Sequence, residues 1–445
     1  MFYEKIKNKR KNRFINLSDE EIQFTNKKYY NIINNNTNPK KENDLLKLKQ
    51  ITNSSFNRKV VLPIFILLIF FLCTSTLRKK NKQHIEVITE YETTNDKINI
   101  SREKALTRGR NYLNKCLEGL LFNHKEFTIS NEPKITIIVP LYNDEQIIKP
   151  VIRSIQNQKM SDIEIILVND NSKDNSLNII EAMQKEDPRI KIIKKKKNMG
   201  VLYSRSIAVL QAKGKYILNL DHDDFFLDED LFDALYSEAE NGNFDIVSFM
   251  EIDIDKYDAK INEMSDGFCT SHPDNLIVRQ PELTHFTLFK DDNFMFVDPQ
   301  IWGKLVKTKV YVDALNLLGK DRYSTFNVIN EDLIVVFAIS SVAESYKYIR
   351  KYGLFHKKGY NTAVHRVGVE HDKKMAIFFA EIVFDISKKE DKRYAVNMIV
   401  KVEPPNEETK QYLGQVLKKM IDCEYISENY KERLRKKYKE LGFSD

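Results

Sequence analysis

Three carboxylates crowd one short segment of this chain. Residues 215–226 read KYILNLDHDDFF, a mostly apolar run followed by Asp221, Asp223 and Asp224 within four positions. Like charges packed at the end of an apolar strand raise one another's pKa unless a cation lies among them. Such oxygen ligands suit Mg²⁺ or Mn²⁺, and Mg²⁺ is commonly held by one or two carboxylates together with substrate phosphates. The segment therefore predicts a divalent-metal site, and a polar turn that caps the next helix is the alternative.

An α/β sheet has to position these acids. Apolar runs alternate with helical patterns from Lys134 onward, and the runs cover residues 135–139, 163–168, 190–193 and 216–220. This alternation predicts parallel strands with helices packed on the faces of the sheet. Ligands of such sheets bind outside the carboxyl ends of the strands. We therefore expect Tyr142, Asn143, Asp170 and the acids of 221–224 to lie at one edge.

The motifs along this sheet resemble those of family 2 glycosyltransferases. IIVPLYNDE, IILVNDNSKDNS and NMGVLYSRSIAVLQAKGKYILNLDHDDFF follow the order and spacing of the family's P-x-YN, V-D-D-G-S-x-D, N-x-G-x-x-x-A-R-N and D-x-D-D motifs. IWGKL and INEDL are similar, more thinly, to its later W-N-K-L and E-D motifs. The resemblance implies an inverting enzyme of the GT-A fold, in which a Rossmann-like mixed sheet is flanked by helices.

Four positions depart from the family pattern. Asn169 and Asn171 stand where the family has Asp and Gly, and Ser206 and Gly303 each stand where it has Asn. These departures touch substrate contacts more than the acidic residues.

The resemblance implies donor-side roles, which fall on Pro140, Tyr142, Asp170, Arg205 and Asp221. Asp170 would bind the nucleobase, Pro140 and Tyr142 would form the wall beside base and ribose, Arg205 would face the diphosphate, and Asp221 would contact the ribose. Each residue also has a plainer interpretation. Asp170 could cap a helix, Pro140 and Tyr142 could pack in the core, and Arg205 could form a surface salt bridge.

Metal binding is expected from Asp223 together with Asp221, with Mn²⁺ or Mg²⁺ as the cofactor. His356, on the strand-like stretch YGLFHKKG, is a further candidate ligand for the metal or a phosphate, although a lone His is more often a surface or core residue. Asp224 is either a second-sphere partner of the metal or a helix cap.

An inverting transfer also needs a base. The acceptor hydroxyl must lose its proton as it attacks, and a carboxylate within hydrogen-bond reach can accept that proton. Asp332, in NED, matches the family's E-D motif and opens a helical pattern, so it is the predicted base, and Glu331 would orient the acceptor or support the turn. A helix N-terminus with acids in its first turn is the alternative. Trp302 and Lys304 are the predicted acceptor platform, and core packing of the Trp is the alternative.

The N-terminal part predicts a membrane anchor. Val60 to Leu77 contains 18 residues without a charge, and Arg or Lys residues stand on both sides. Such a helix is about 27 Å long, enough for a hydrocarbon core. We therefore predict a tail (1–59), a transmembrane helix (60–77), a stem (78–131), a GT-A domain (132–370) and a helical C-terminal extension (371–445). The flanking cations are nearly balanced, so the Golgi or ER lumen is expected for the catalytic domain only from the usual arrangement of such enzymes.

Composition argues against nucleic acid as a partner. Residues 1–59 hold 14 Lys or Arg and 6 Asp or Glu, whereas the remaining residues hold 57 and 58. The lysine run 194–197 is interpreted as a solvated surface, because no nucleic-acid motif accompanies it. The four cysteines show no CxxC spacing and do not indicate a redox compartment.

The sequence thus predicts transfer of a sugar from a nucleotide-diphosphate sugar, with UDP favoured, to a hydroxyl of a glycan, glycoprotein or lipid. Two other functions stay open. A sugar-phosphate nucleotidyltransferase would share the architecture and the metal but should carry a Gly-rich phosphate loop after its first strand, where this chain has LYNDEQ. A noncatalytic membrane-anchored scaffold or binding protein could retain the fold, since fold alone does not decide function.

Overall fold

The computed structural model describes residues 103–112, 114–116, 127, 130–254, 264–266, 275–280, 282–284, 289–290, 293–294, 300–324, 331–357 and 369–444. The chain divides into two compact units, Met1–Asp96 and Lys97–Asp445, and every described residue belongs to the second. The predicted tail and the predicted membrane span at 60–77 lie outside the described residues. Within the described ranges, no helix is long and apolar enough to cross a membrane.

A mixed sheet forms the centre of the second unit. Its strands are β1 (Ile135–Leu141), β2 (Ile163–Asn169), β3 (Ile190–Lys194), β4 (Tyr216–Asn219), β5 (Phe225–Phe226), β6 (Ile246–Ile254), β7 (Met264–Asp266) and β8 (Ile277–Arg279), and, after the separate pair β9 (Phe289–Lys290) and β10 (Asn293–Phe294), β11 (Lys304–Lys307) and β12 (Ser345–Lys357). The spatial order is β3-β2-β1-β4-β11-β6-β12-β5, with β7 beside β6 and β8 beside β12.

Helices cover the sheet and continue beyond it. They are α1 (Ile148–Gln156), α2 (Ser176–Glu186), α3 (Val201–Val209), α4 (Leu231–Gly242), α5 (Thr308–Leu318), α6 (Lys320–Tyr323), α7 (Glu331–Val342), α8 (Val369–Ile386), α9 (Lys392–Ile399), α10 (Glu407–Ile421) and α11 (Glu428–Glu440). The expected mixed α/β sheet with flanking helices is confirmed.

The first half of the sheet follows directly from its sequence. The seven residues of β1, ITIIVPL, are all buried, and β1 pairs in parallel with both β2 and β4. A strand covered on both faces reads as a continuous apolar run, as this one does. In α1 the buried apolar residues recur at helical spacing, at Ile148, Val151, Ile152 and Ile155. That stripe packs the helix on the sheet.

Strand directions bring the site together. The strands β1, β2, β3 and β4 run parallel, so their carboxyl ends share one edge, whereas β11 runs antiparallel between β4 and β6. An isolated parallel bridge joins Asn219, at the end of β4, to Trp302 just before β11. The segment after β4 and the segment before β11 therefore meet at the edge where ligands are expected.

The helix α7 is buried in the domain. Its residues Ile334 to Ile339 are all buried, as expected of a helix that is apolar all round. The ring of Phe337 meets Phe379 of α8 edge-on, with centroids 6.1 Å apart. The helix α8 thus packs against α7, whose first turn carries the two acids.

Part of the predicted stem packs on the body of the domain. Residues 103–112 are helical, and Leu106 and Tyr112 are buried. The Tyr112 hydroxyl donates a hydrogen bond to the carbonyl of Ser154 on α1 at 2.9 Å. This segment therefore belongs to the folded unit.

Candidate active site

One guanidinium joins three acids at the edge of the sheet. Arg205 lies on α3, and only 3% of its side chain is exposed. Its Nη1 donates to Glu331 Oε1 and to Asp332 Oδ1, both at 2.8 Å, and its Nη2 donates to Asp221 Oδ1. The two α7 acids lie 126 and 127 residues beyond Arg205 in the chain. Four of the residues predicted for the site are therefore in direct contact.

This group of four, the Arg205 cluster, is short of positive charge. Burial and the charge of Asp332 raise the pKa of Glu331 to about 8, although Arg205 opposes the shift. Burial also raises the pKa of Asp332 against the same opposing guanidinium. Buried like charges disfavour ionisation, and a single guanidinium does not offset three carboxylates. The cluster is thus suited to accept a proton or a further cation.

The predicted acceptor residues border Asp332. Burial raises the pKa of Asp332, and the charge of Lys304 and the backbone of Ile301 oppose that shift. Yet Trp302 and Lys304 are 6% and 2% exposed, and Lys304 Nζ donates to the carbonyl of Gln300 at 2.5 Å. Both residues therefore lie beside the predicted base with their side chains buried, so they do not form an open platform here.

The D-x-D-D turn rests on the end of β12. The backbone N–H of Lys357 donates to Asp224 Oδ1 at 3.0 Å, whereas Asp224 Oδ2 is buried with no hydrogen-bond partner. Burial raises the pKa of Asp224 well above its usual range. Burial also raises the pKa of Asp223, and the charge of His222 opposes that shift. Asp224 is thus a fully buried carboxylate that supports the turn.

His356 is held by a residue that sequence reasoning missed. Its Nδ1 lies 2.9 Å from Asp253 Oδ1 on β6, and its ring stacks on Trp302 with centroids 4.5 Å apart. Burial alone would lower the pKa of His356, but the hydrogen bond to Asp253 and the charge of Asp224 raise it to about 9. No local motif marks Asp253, because only the sheet brings β6 and β12 together.

A divalent cation fits this edge only with help from substrate. Within the described residues, no three His, Cys, Asp or Glu side chains are grouped as a metal site would require. Mg²⁺ is usually held by one or two protein carboxylates and by phosphate oxygens. The buried, unpartnered oxygen of Asp224 and the crowded acids Asp221 and Asp223 fit such a cation. His356 would have to give up its proton before it could be a ligand.

A second histidine pair lies at the same edge. His222 Nδ1 is 2.9 Å from Asp144 Oδ1. Burial alone would lower the pKa of His222, but its contact with Asp144 and the charges of Asp223 and Asp221 raise it to about 9. Asp144 Oδ2 also accepts the backbone N–H of Tyr142 at 2.7 Å. His222 lies within the D-H-D-D motif, but its contact with Asp144 was not predicted from the sequence.

Asp170 is surrounded by donors from the chain itself. Its Oδ1 accepts the N–H of Met199 at 2.9 Å and its Oδ2 the N–H of Gly200 at 2.8 Å. Lys195 Nζ lies 2.6 Å from Oδ1, and both side chains are 6% exposed. The interpretation of residues 194–197 as a solvated surface is therefore wrong at Lys195. Asp170 ties the loop before α3 to the end of β2.

The two predicted wall residues differ in exposure. Pro140 is buried inside β1 opposite Val168, whereas Tyr142 is 43% exposed just beyond the strand. The loop that follows is fixed to the loop after β2, since the N–H of Asn143 donates to Ser172 Oγ at 3.0 Å. Tyr142 is thus the one of the pair that is open to a ligand.

Part of the sheet region is similar to a known family. Residues 136–296 match the family model described as Glycosyl transferase family 2. Over these residues the chain is similar to glycosyltransferases of that family. The mixed sheet with flanking helices fits the GT-A fold expected for this domain.

Curated relatives share this domain over part of their length. The chain is 43% identical over 115 residues to the uncharacterized glycosyltransferase EpsJ of Bacillus subtilis, which is 26% of this chain and 33% of that protein. It is 26% identical over 257 residues to the cholesterol galactosyltransferase of Borreliella burgdorferi, 56% of this chain and 67% of that protein. The solved S. aureus TarS 1-349 in complex with UDP-GlcNAc aligns with a TM-score of 0.49 and 15% identity, over 69% of this chain and 89% of that one.

Proposed function

We propose that the chain transfers a sugar from a nucleotide-diphosphate sugar to a hydroxyl acceptor, with inversion at the sugar carbon. The observation that carries the proposal is the meeting of Asp332 and Asp221 on one guanidinium at the carboxyl edge of the sheet. Asp332 accepts a hydrogen bond from Arg205. The proposed base thus shares Arg205 with the proposed donor-side acid Asp221, and both Arg205 and Asp221 lie among the residues that the family 2 model matches.

Asp332 supplies the base in this proposal. The acceptor oxygen forms a bond to the sugar carbon as the bond from that carbon to the diphosphate oxygen breaks, and the hydroxyl proton passes to the Asp332 carboxylate. Burial raises the pKa of Asp332, which makes the carboxylate a better proton acceptor. The segment 301–304 beside it would border the acceptor.

Asp223 and Asp221 would hold the divalent cation, which supplies Lewis-acid stabilisation of charge on the leaving diphosphate. Tyr142, exposed beyond β1, would contact the base or ribose of the donor. We take a UDP-sugar as the first donor to test. Because one curated relative is named a cholesterol galactosyltransferase, a lipid hydroxyl belongs among the acceptors.

The membrane anchor at 60–77 and a Golgi or ER lumenal position of the catalytic domain belong to the proposal as well. Protease digestion of intact microsomes tests the orientation. We expect the catalytic body to be protected; digestion of the body with survival of the tail would reverse it.

Transfer itself is tested with the full chain and a panel of nucleotide sugars, offered with glycan, glycoprotein and lipid hydroxyls in Mn²⁺. We expect transfer from one donor class, with inverted product. As a matched control, Asp313→Asn removes a carboxylate from an exposed ion pair with Lys309 and should transfer normally. A wild-type chain that binds donors and transfers to none of these acceptors would favour the scaffold function.

A further inference from the structure

Among the described residues, the guanidinium of Arg205 donates hydrogen bonds to carboxylates alone. Nη1 donates to Glu331 and Asp332, and Nη2 donates to Asp221. The Nε atom is buried with no hydrogen-bond partner. With 3% of the side chain exposed, little of the guanidinium is left to face a substrate diphosphate.

We propose that Arg205 is a positioning residue that holds Asp332 in the orientation needed to accept the acceptor proton, and that it is not a ligand of the donor diphosphate. The inference rests on the proposed function, because it concerns the base of that reaction. It replaces the diphosphate contact that the family resemblance implies for this position.

The planar guanidinium sets the positions of the acids. Its N–H groups point in fixed directions, and the two hydrogens of Nη1 can serve Glu331 and Asp332 separately. Asp332 thus accepts its hydrogen bond from a donor whose direction is fixed by the guanidinium plane.

The helix that carries Arg205 is itself firmly placed. The neighbouring Ser204 and Ser206 are buried, and their hydroxyls donate to the carbonyls of Gly200, just before the helix, and of Leu202 within it. Arg205 therefore projects from a buried part of α3. A lysine at this position would keep the charge but would offer a single flexible ammonium in place of the fork.

The test compares donor binding with transfer in Arg205→Lys. We expect single-turnover transfer at saturating donor to fall about 10- to 100-fold, since a displacement near 1 Å can cost that much, with the donor Kd by calorimetry nearly unchanged. Arg153→Lys is the matched control: it alters another buried arginine, bonded to Gln156 and Glu186, and should transfer normally.

A double variant shows whether Arg205 acts through Asp332. If it does, Arg205→Lys with Asp332→Asn transfers no more slowly than Asp332→Asn alone. Multiplicative losses would overturn the inference. So would a weakened donor Kd with an unchanged transfer rate, which is the behaviour of a diphosphate ligand.

A double variant that keeps the charge balance replaces Arg205→Lys if that variant does not fold. If Arg205→Lys lacks a cooperative thermal transition, Arg205→Gln with Glu331→Gln removes one cation and one acid together, and the same split between rate and Kd is expected. Failure of the proposed function looks different, since the wild type itself would then transfer to no acceptor and the inference would fall with it. Wild-type transfer with unchanged variant kinetics overturns the positioning role alone.

Discussion

Two carboxylate sites at the same edge of the sheet differ in their balance of positive and negative charge. Asp170 has one ammonium, from Lys195, and two backbone N–H groups, so a single charge is matched and both oxygens are hydrogen-bonded. In the Arg205 cluster three carboxylates share one guanidinium. The Asp170 side chain is 6% exposed, and those of the three acids in the cluster are 14–27% exposed, but only the Asp170 site is neutral.

The difference in charge balance suggests different roles for the two sites, one structural and one chemical. A buried ion pair with its hydrogen bonds satisfied contributes fixed structure, and removing one partner is costly. A buried group of like charges with too few cations has raised pKa values and an affinity for protons and metal ions. We infer that the Asp170 site holds the loop before α3, while the Arg205 cluster and the adjoining D-x-D-D turn are the reactive part.

The largest effect is expected from removing the metal or its carboxylate. EDTA and the Asp223→Ala variant should each abolish transfer while the fold persists, because the leaving diphosphate then lacks its cation. Transfer assays before and after adding Mn²⁺ measure this. Asp228→Ala is the control: it alters a carboxylate nearby that pairs with Lys351 at 3.1 Å, and it should keep activity. Full activity in EDTA would show that the acidic turn serves no metal.

The second largest effect is expected from loss of the proposed base, Asp332. Asp332→Asn removes the charge without changing the volume, and it should lower kcat by roughly 10² to 10⁴-fold with little change in donor Kd. Donor titration beside single-turnover transfer separates the two quantities. Transfer at the wild-type rate would make Asp332 an ordinary acid of the first turn of α7.

At the Asp170 site we predict a loss of stability when the cation is removed. Lys195→Met leaves the Asp170 carboxylate buried without its cation, and breaking such a pair costs about 3–5 kcal/mol of the free energy of unfolding. Urea unfolding measures it. The adjacent Lys194 is 56% exposed and pairs with Glu181, so Lys194→Met should cost less than about 1 kcal/mol. Equal losses in the two variants would remove the contrast between the sites.

Lys194 and Lys195 show which features could not be predicted from the sequence alone. The alternation of strands and helices predicted the sheet, because local periodicity reports which faces are buried. The motifs named Arg205, Asp221 and Asp332 individually, but two of the guanidinium's partners, Glu331 and Asp332, lie 126 and 127 residues away on α7 and are brought to it only by the fold. The burial of Lys195 and the contact between Asp253 and His356 likewise depend on which segments the sheet brings together.

For the Arg205 cluster we predict the opposite result, a gain in stability when one of its charged groups is removed. In the folded state Glu331 keeps a proton, with a pKa of about 8, that it loses near 4.5 when unfolded. The free energy of unfolding therefore falls as pH rises from about 4.5 to 8, by about 1.4 kcal/mol per unit of pKa difference. Glu331→Gln should flatten this fall and be more stable than wild type at pH 9.

Urea unfolding at pH 5, 7 and 9 follows this change. Glu240→Gln is the control: its hydrogen bonds to Lys215 and Tyr216 lower the pKa of Glu240, so the variant should show no gain at high pH. A wild-type stability that is level across this range would mean that the Arg205 cluster is as well balanced as the Asp170 site.

The smallest effects are expected where the chain departs from the family pattern in each region. Asn171, beside Asp170, has φ 65°, and Gly303, between Trp302 and Lys304, has φ 73°. The family has Gly at the first position and Asn at the second, and both residue types adopt this left-handed conformation readily. A Cβ at Gly303 would meet the carbonyl oxygen of Phe249 at 3.6 Å, an ordinary contact.

Asn171→Gly and Gly303→Asn should therefore each change the free energy of unfolding by less than about 1 kcal/mol and leave transfer nearly intact. Gly303→Val, whose branched side chain resists a positive φ, should cost about 1–3 kcal/mol. Urea unfolding of the three variants separates the explanations. If Gly303→Asn costs as much as Gly303→Val, space beside Phe249 and not backbone conformation sets the residue there. If only Val is costly, the departures in both regions preserve one backbone shape, and differences in transfer between this chain and its relatives must come from the side chains around it.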